Sequence, residues 1–329
     1  MRKLKKYTPT RFMAEGSYYS KDAADHAVCF IEKYCCHTKG RWDGKPFILI
    51  DWQEKIIRDI FGTLKENGYR QFNTAYIEIP KKQGKSELAA AIALYLLCMD
   101  FEPSSEVYGC DADRNQAKIV FNVAAAMVKK SPKLRNLIKV KDSTKEMEVL
   151  RDGSRYQALS ADVANKHGLN THGVIFDELH TQPNRKLYDV MTKGSGDARM
   201  QPLYFLITTA GDNTNSICYE IHQKAKDIIE GRKIDPTFYP VIYGADAEDD
   251  WTDPKVWMKA NPSLGITVDI EKVKTACEEA KTNPLDENTF RQLRLNQWVK
   301  QAVRWMPMDK WDLCSFPVNE DDLEGRVCY

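Results

Sequence analysis

The chain is predicted to be an α/β protein with a mainly parallel sheet covered by helices on both faces. Three observations predict this. Apolar, β-branched runs recur between residues 73 and 243, separated by segments of helical periodicity. These runs are apolar throughout instead of alternating, as strands buried on both faces require. From about Ala245 onward the strand pattern stops and only helical segments follow.

Residues 20–40 read as a helix capped by Asp22, with Ala23, Ala27, Phe30, Ile31 and Tyr34 at helical spacing. Residues 40–44 (GRWDG) turn the chain before a short apolar run, 47–50. Asp51 is expected to cap a helix reaching Phe61, and Gln53 taken alone is a polar residue on its exposed first turn. A strand at 73–79 leads through a lysine-glycine loop into a helix at 86–99. A second strand, 106–110, precedes a helix at 113–129 with Ala117, Val120, Phe121, Ala124 and Val128 on one face. Segments 147–150 and 155–159 flank Asp152-Gly153 and predict a hairpin. Buried strands follow at 173–178 and 202–211, then a helix at 216–230 and a strand at 238–243. The last predicted elements are helices at 254–260, 269–281 and 288–300.

Composition narrows the class. Of 329 residues, 43% are hydrophobic and 29% charged, the profile of a soluble globular protein. A net charge of +1 points to no particular partner. The longest apolar run, 88–99, is too short to span a bilayer, and the basic N-terminus has no apolar h-region. The nine cysteines contain no C-x-x-C. Cys35-Cys36-His37 has no second ligand pair to make a zinc site, so free thiols in a reducing compartment are expected.

The chemistry lies in residues 77–88, IEIPKKQGKSEL. A strand, a lysine-glycine loop and a helix opening on Lys-Ser can hold a nucleotide phosphate, because loop N–H groups and a helix N-terminus meet the anion. Lys81, Lys82, Gln83 and Gly84 form the loop, Lys85 is placed to reach the β/γ-phosphates, and Ser86 to ligate Mg²⁺. Ile79 stands where the usual pattern has its first glycine. The strand ending at Asp177-Glu178 is the partner such a loop needs: Asp177 helps hold Mg²⁺, and Glu178 orients or deprotonates the attacking water. Together these favour hydrolysis of ATP over transfer to a hydroxyl. Thr208-Thr209, at the next strand end, read equally as γ-phosphate sensors or as ordinary strand residues. Lys81 and Lys82 read either as transition-state cations or as solvated loop charges.

With its parts in this order, the chain resembles the ATPase part of phage terminase large subunits, the DNA-packaging motors of tailed double-stranded DNA phages. The carriers are Trp52-Gln53, residues 77–90, Asp113-Arg114-Asn115-Gln116-Ala117, GVIFDELH at 173–180, residues 206–211, Asn261-Pro262-Ser263-Leu264-Gly265 and Leu295-Asn296-Gln297-Trp298. The resemblance implies a P-loop NTPase fold of the ASCE/RecA-like kind. It implies a helical arm at 1–44, the ATPase domain at 45–245 and a helical linker at 246–329. Gln53 would contact adenine, Lys85 and Ser86 form the Walker A site, and Asp177 and Glu178 the Walker B acid and catalytic glutamate. Thr208-Thr209-Ala210 match a coupling motif. Lys81 stands where the family often has an arginine, and lysine lacks its bidentate fork. An arginine acting in trans is the other option, with Arg114, Arg151, Arg155, Arg185 and Arg199 as unranked candidates.

Implied cofactors are ATP and Mg²⁺. Implied partners are double-stranded DNA, a terminase small subunit and the portal of a procapsid, in a homo-oligomeric ring in the host cytoplasm, with no membrane. DNA contacts would be mainly to phosphates. The family's nuclease domain is expected to be missing, with Glu320, Asp321, Asp322 and Glu324 in a solvated linker. Two rival readings stand beside this one: a helicase-like ATPase, and a non-hydrolysing assembly protein on a P-loop fold.

Overall fold

The computed structural model describes residues 4, 6–112, 114–160, 168–299 and 311–313. A short strand β1 (Tyr18–Tyr19) leads into helix α1 (Lys21–Tyr34). Ser20, not Asp22, caps that helix, its hydroxyl accepting from Ala23 N. Helix α2 (Asp51–Gly62) begins on Asp51 itself instead of being capped by it. The side chain that completes this helix start is Gln53, whose Oε1 accepts the Ile50 N–H at 3.2 Å. Strand β2 (Thr63–Leu64) then pairs with β1.

The main domain continues as β3 (Thr74–Glu78), α3 (Lys85–Cys98), β4 (Glu106–Asp111), α4 (Arg114–Lys130), α5 (Pro132–Leu137), β5 (Ile138–Lys141), β6 (Glu146–Val149) and β7 (Arg155–Ser160). It closes with β8 (Gly173–Asp177), α6 (Lys186–Thr192), β9 (Leu203–Thr208), α7 (Ile217–Ile229) and β10 (Phe238–Ile242). The eight-stranded sheet runs β10-β3-β9-β8-β4-β7-β6-β5. The first six of these strands are parallel, and β6 and β5 extend one edge antiparallel. The predicted hairpin is β6–β7, turning at Gly153 with φ 72°.

Strand β9 lies between β3 and β8, pairing Glu78 with Thr208 and Ile207 with Asp177. The carboxyl ends of all three strands therefore share one edge, where ligands bind in open α/β sheets. Helix α3 is apolar all round because it is enclosed, and Leu88 to Cys98 are all buried. Helix α1 sets Ala27, Phe30 and Ile31 into the same core as Ile77 of β3 and Leu94 of α3. The residues expected to form an N-terminal arm thus supply a layer of the main domain.

Beyond β10 come α8 (Pro254–Ala260), α9 (Ile270–Thr282) and α10 (Pro284–Leu295), around a small core of Trp257, Val273, Cys277, Phe290 and Leu295. Helix α10 starts earlier than expected and stops at Leu295, because Asn296 turns into the left-handed region at φ 58°. Among the described residues no helix is long and apolar enough to cross a membrane.

Candidate active site

The phosphate loop leaves β3 at Glu78 and reaches α3 through two left-handed residues, Lys82 at φ 69° and Gly84 at φ 88°. Ile79 continues the strand, its N–H bonding Thr208 O at 3.0 Å while its side chain is buried in the core. The missing glycine is therefore no obstacle. The Ile79 and Pro80 carbonyls accept from Lys85 Nζ at 3.3 Å each, folding the lysine back over the loop. The same ammonium donates to Thr209 Oγ1 and lies 3.3 Å from Glu178 Oε1. One residue along, Ser86 Oγ donates to Asp177 Oδ2 at 2.7 Å. Lys85, Ser86, Asp177, Glu178 and Thr209 thus converge from the start of α3 and the ends of β8 and β9.

Their electrostatics follow from burial. Burial lowers the Lys85 pKa, against the charges of Glu178 and Asp177, which favour its ammonium form. Burial and the adjacent Glu178 charge push the Asp177 carboxyl up to about 6, partly offset by Ser86. Burial would also raise Glu178, but the contacts with His180 and Lys85 outweigh it and hold that carboxyl at about 2. Two neighbouring acids are pushed apart in this way, as sites that divide roles between carboxylates require. Asp177 Oδ1 and Glu178 Oε2 are buried without a hydrogen-bond partner. Glu178 holds φ 54°, a strained backbone that aims its carboxylate across the strand ends.

Other expected site residues sit differently. Gln83 does not offer its side chain to a ligand. It is buried, its Nε2 donating to Asn261 Oδ1 at 2.8 Å and its Oε1 accepting from Ser263 N at 3.1 Å. Only its backbone stays with the loop. Thr208 points away from Lys85: its hydroxyl donates to Thr209 O at 3.0 Å and accepts from His180. Gln53 is buried beneath the loop, not exposed, its amide nitrogen 3.6 Å from where a Cβ on Gly84 would lie. Lys81 and Lys82 are exposed, and Lys81 is tied by its N–H to Leu293 O at 3.0 Å.

Of the candidate arginines, Arg151, Arg155 and Arg199 sit toward the opposite end of the sheet, paired with Asp152, Glu106 and Glu102. Arg185 follows β8 on the site side and pairs with Asp189 and Glu220. Asp113, the side chains of Arg114 to Ala117, and the acids Glu320, Asp321, Asp322 and Glu324 lie outside the described residues. His37, once separated from a zinc reading, has its Nδ1 2.7 Å from Glu87 Oε2. His180, Asn261 and Asn296 carry no role in the sequence reading. All three stand in stretches that the resemblance marked.

The geometry agrees with the comparisons. The family model described as "Terminase large subunit, ATPase domain" matches residues 51–227, more than half of the chain. A second, "Terminase large subunit, endonuclease domain", matches residues 233–329. This corrects the expectation that the family's nuclease domain is missing from the chain: the match covers β10 and α8–α10. The terminase large subunit of Enterobacteria phage HK97 is 30% identical over 302 residues, covering 90% of this chain and 57% of that protein. The chain thus spans under two thirds of that relative's length. The crystal structure of the HK97 bacteriophage large terminase superposes with a TM-score of 0.73 at 28% identity, covering 90% of this chain and 60% of that one. A point mutant of the large terminase ATPase domain of Thermus phage P74-26 shares the fold, with a TM-score of 0.52 at 16% identity, covering 69% of this chain and 90% of that one. Because the ATPase-domain match runs from α2 into α7, through every strand whose end lines the site, this chain belongs to the terminase large subunit family.

Proposed function

We propose that this chain is the ATP-hydrolysing motor of a DNA-packaging terminase, coupling hydrolysis to movement of double-stranded DNA into a procapsid. The observation that carries the reading is the meeting of Lys85 with Glu178 at 3.3 Å beside Ser86 with Asp177 at 2.7 Å. Lys85 and the loop N–H groups of Lys82, Gln83 and Gly84 bind the phosphates, and Glu178 orients the attacking water and takes its proton. Ser86 and Asp177 are the residues that would hold Mg²⁺, which neutralises phosphate charge when bound. The fit rests on a buried, unpartnered Asp177 oxygen beside a hydroxyl.

Lys81, exposed at the loop, supplies charge toward the phosphates, and Gln53 supports the adenine side. Thr209 reports the state of Lys85 to the coupling strand. DNA, a small subunit, a portal and a ring of copies are the partners this reading implies.

The test is ATP turnover by the 329-residue chain and its Lys85→Ala and Glu178→Gln variants. Each variant should lose about 100-fold or more. Turnover near wild type in either would overturn the reading. Nucleotide binding without hydrolysis by the wild type would favour an assembly protein instead.

A further inference from the structure

We infer that His180 is a positioning residue for the Glu178 carboxylate, its Nδ1–H shared between Glu178 and the coupling-strand hydroxyl of Thr208. This rests on the ATPase reading above and names the side chain that joins water activation to the coupling strand.

The ring sits between the two. His180 Nδ1 lies 3.1 Å from Thr208 Oγ1 and 3.3 Å from Glu178 Oε2. Thr208 donates its own proton to Thr209 O and accepts from the His180 backbone N–H at 3.2 Å and, more weakly, from Cys218 Sγ at 3.8 Å. The ring contact at 3.1 Å is a hydrogen bond in the tautomer that carries its hydrogen on Nδ1, because the Thr208 proton is directed elsewhere. Glu178 Oε2 is buried and has no hydrogen bond of its own, and among the described residues it faces this nitrogen. The other carboxylate oxygen is held by Lys85.

The local backbone keeps the ring in place. Thr181 returns both its N–H and its hydroxyl to Glu178 O, at 2.9 and 2.8 Å, closing a tight turn around His180. A Cβ on Gly211 would lie 3.3 Å from His180 Cβ, so the residue after the coupling motif closes the other side. When Lys85 turns to a phosphate, Glu178 loses its lysine and keeps the contact with the His180 ring at 3.3 Å. Swinging Nδ1–H from Thr208 to Glu178 would then hold the carboxylate toward the water and release the Thr208 hydroxyl. Lysine engagement at the loop would in this way be felt at the coupling strand.

The test compares steady-state ATP hydrolysis by the full 329-residue chain with His180→Ala, His180→Asn and Lys85→Ala. His180→Ala should lower kcat about 10- to 100-fold with KM within about twofold, because the loss is of transition-state positioning and not of binding. In His180→Asn the amide N–H can occupy the Nδ1 position, so kcat should recover to within about fivefold of wild type. Near-wild-type kcat in His180→Ala, or His180→Asn as slow as His180→Ala, would overturn the inference while the ATPase reading stands. Turnover that survives Lys85→Ala would instead remove the ATPase reading, and the role of His180 with it.

Discussion

The buried ammonium of Lys85 lies 3.3 Å from the Glu178 carboxylate, joining the cation proposed to bind phosphate to the carboxylate proposed to activate water. On the proposed function, a bound nucleotide takes Lys85 from Glu178, so phosphate binding also releases the carboxylate for chemistry. Glu178→Gln should therefore hydrolyse ATP about 10²- to 10⁴-fold more slowly while binding nucleotide as tightly as wild type or tighter. Titration with a fluorescent nucleotide, set beside turnover, checks both halves. Weaker binding would mean that the carboxylate holds Lys85 in its binding pose instead of competing for it.

Gln83 joins the loop to the C-terminal helices through Asn261 and Ser263, and Ser263 in turn accepts from Trp52 Nε1 at 2.9 Å. Gln83→Ala leaves a buried amide and a backbone N–H unpaired, which costs about 1–3 kcal/mol. Faster amide exchange over residues 257–264 and a lower unfolding midpoint are expected. If Gln83 instead served only the nucleotide, affinity would fall while exchange over that segment stayed unchanged.

Much of this site was legible because its parts are local. An apolar run ending in Asp177-Glu178 puts both acids at a strand end, and Gly84-Lys85-Ser86 puts a cation and a hydroxyl at a helix start. The less legible features depend on distant partners. Gln83 turns away from the loop because Asn261 and Ser263, some 180 positions later, return to meet it. Helix α10 stops at Leu295 because Asn296 bonds Ala210 N and Tyr243 O, both at 2.7 Å. Neither partner is visible from helical periodicity. Thr208 and Thr209 look alike in sequence, but Thr208 ends β9 and turns to His180, whereas Thr209 opens the following loop and meets Lys85.

Trp298 is seated on Gly211 and donates from Nε1 to Glu78 Oε2 at 3.2 Å. A Cβ on Gly211 would lie 2.9 Å from Trp298 Cζ3, closer than carbon atoms sit. Gly211→Ala should destabilise the chain by about 1–3 kcal/mol through this overpacking. Combining it with Trp298→Phe should give a coupling of at least about 0.5 kcal/mol in the rescuing direction. Urea unfolding of the two single variants and the double variant measures it, and strict additivity would place the strain elsewhere.

Asp100 closes the opposite end of the sheet. It takes both Arg70 Nη groups at 3.0 Å and stands 2.7 Å from His172 Nε2. Burial would raise its carboxyl, but the Arg70 charge and the His172 contact outweigh that and hold it below the ordinary range. The folded chain therefore releases the Asp100 proton more readily than the unfolded chain does. The stability this group contributes is fully present above the unfolded value of about 3.9 and is lost as pH falls through the lower folded value. Asp100→Asn leaves the Arg70 guanidinium buried without its counter-charge, which costs about 3–5 kcal/mol at neutral pH. The Tm gap between wild type and Asp100→Asn should stay constant down to about pH 4.5 and narrow below about pH 4, where wild type alone loses the pair. A gap that does not change down to pH 3 would show that the Arg70–Asp100 charge pair is not what the variant removes.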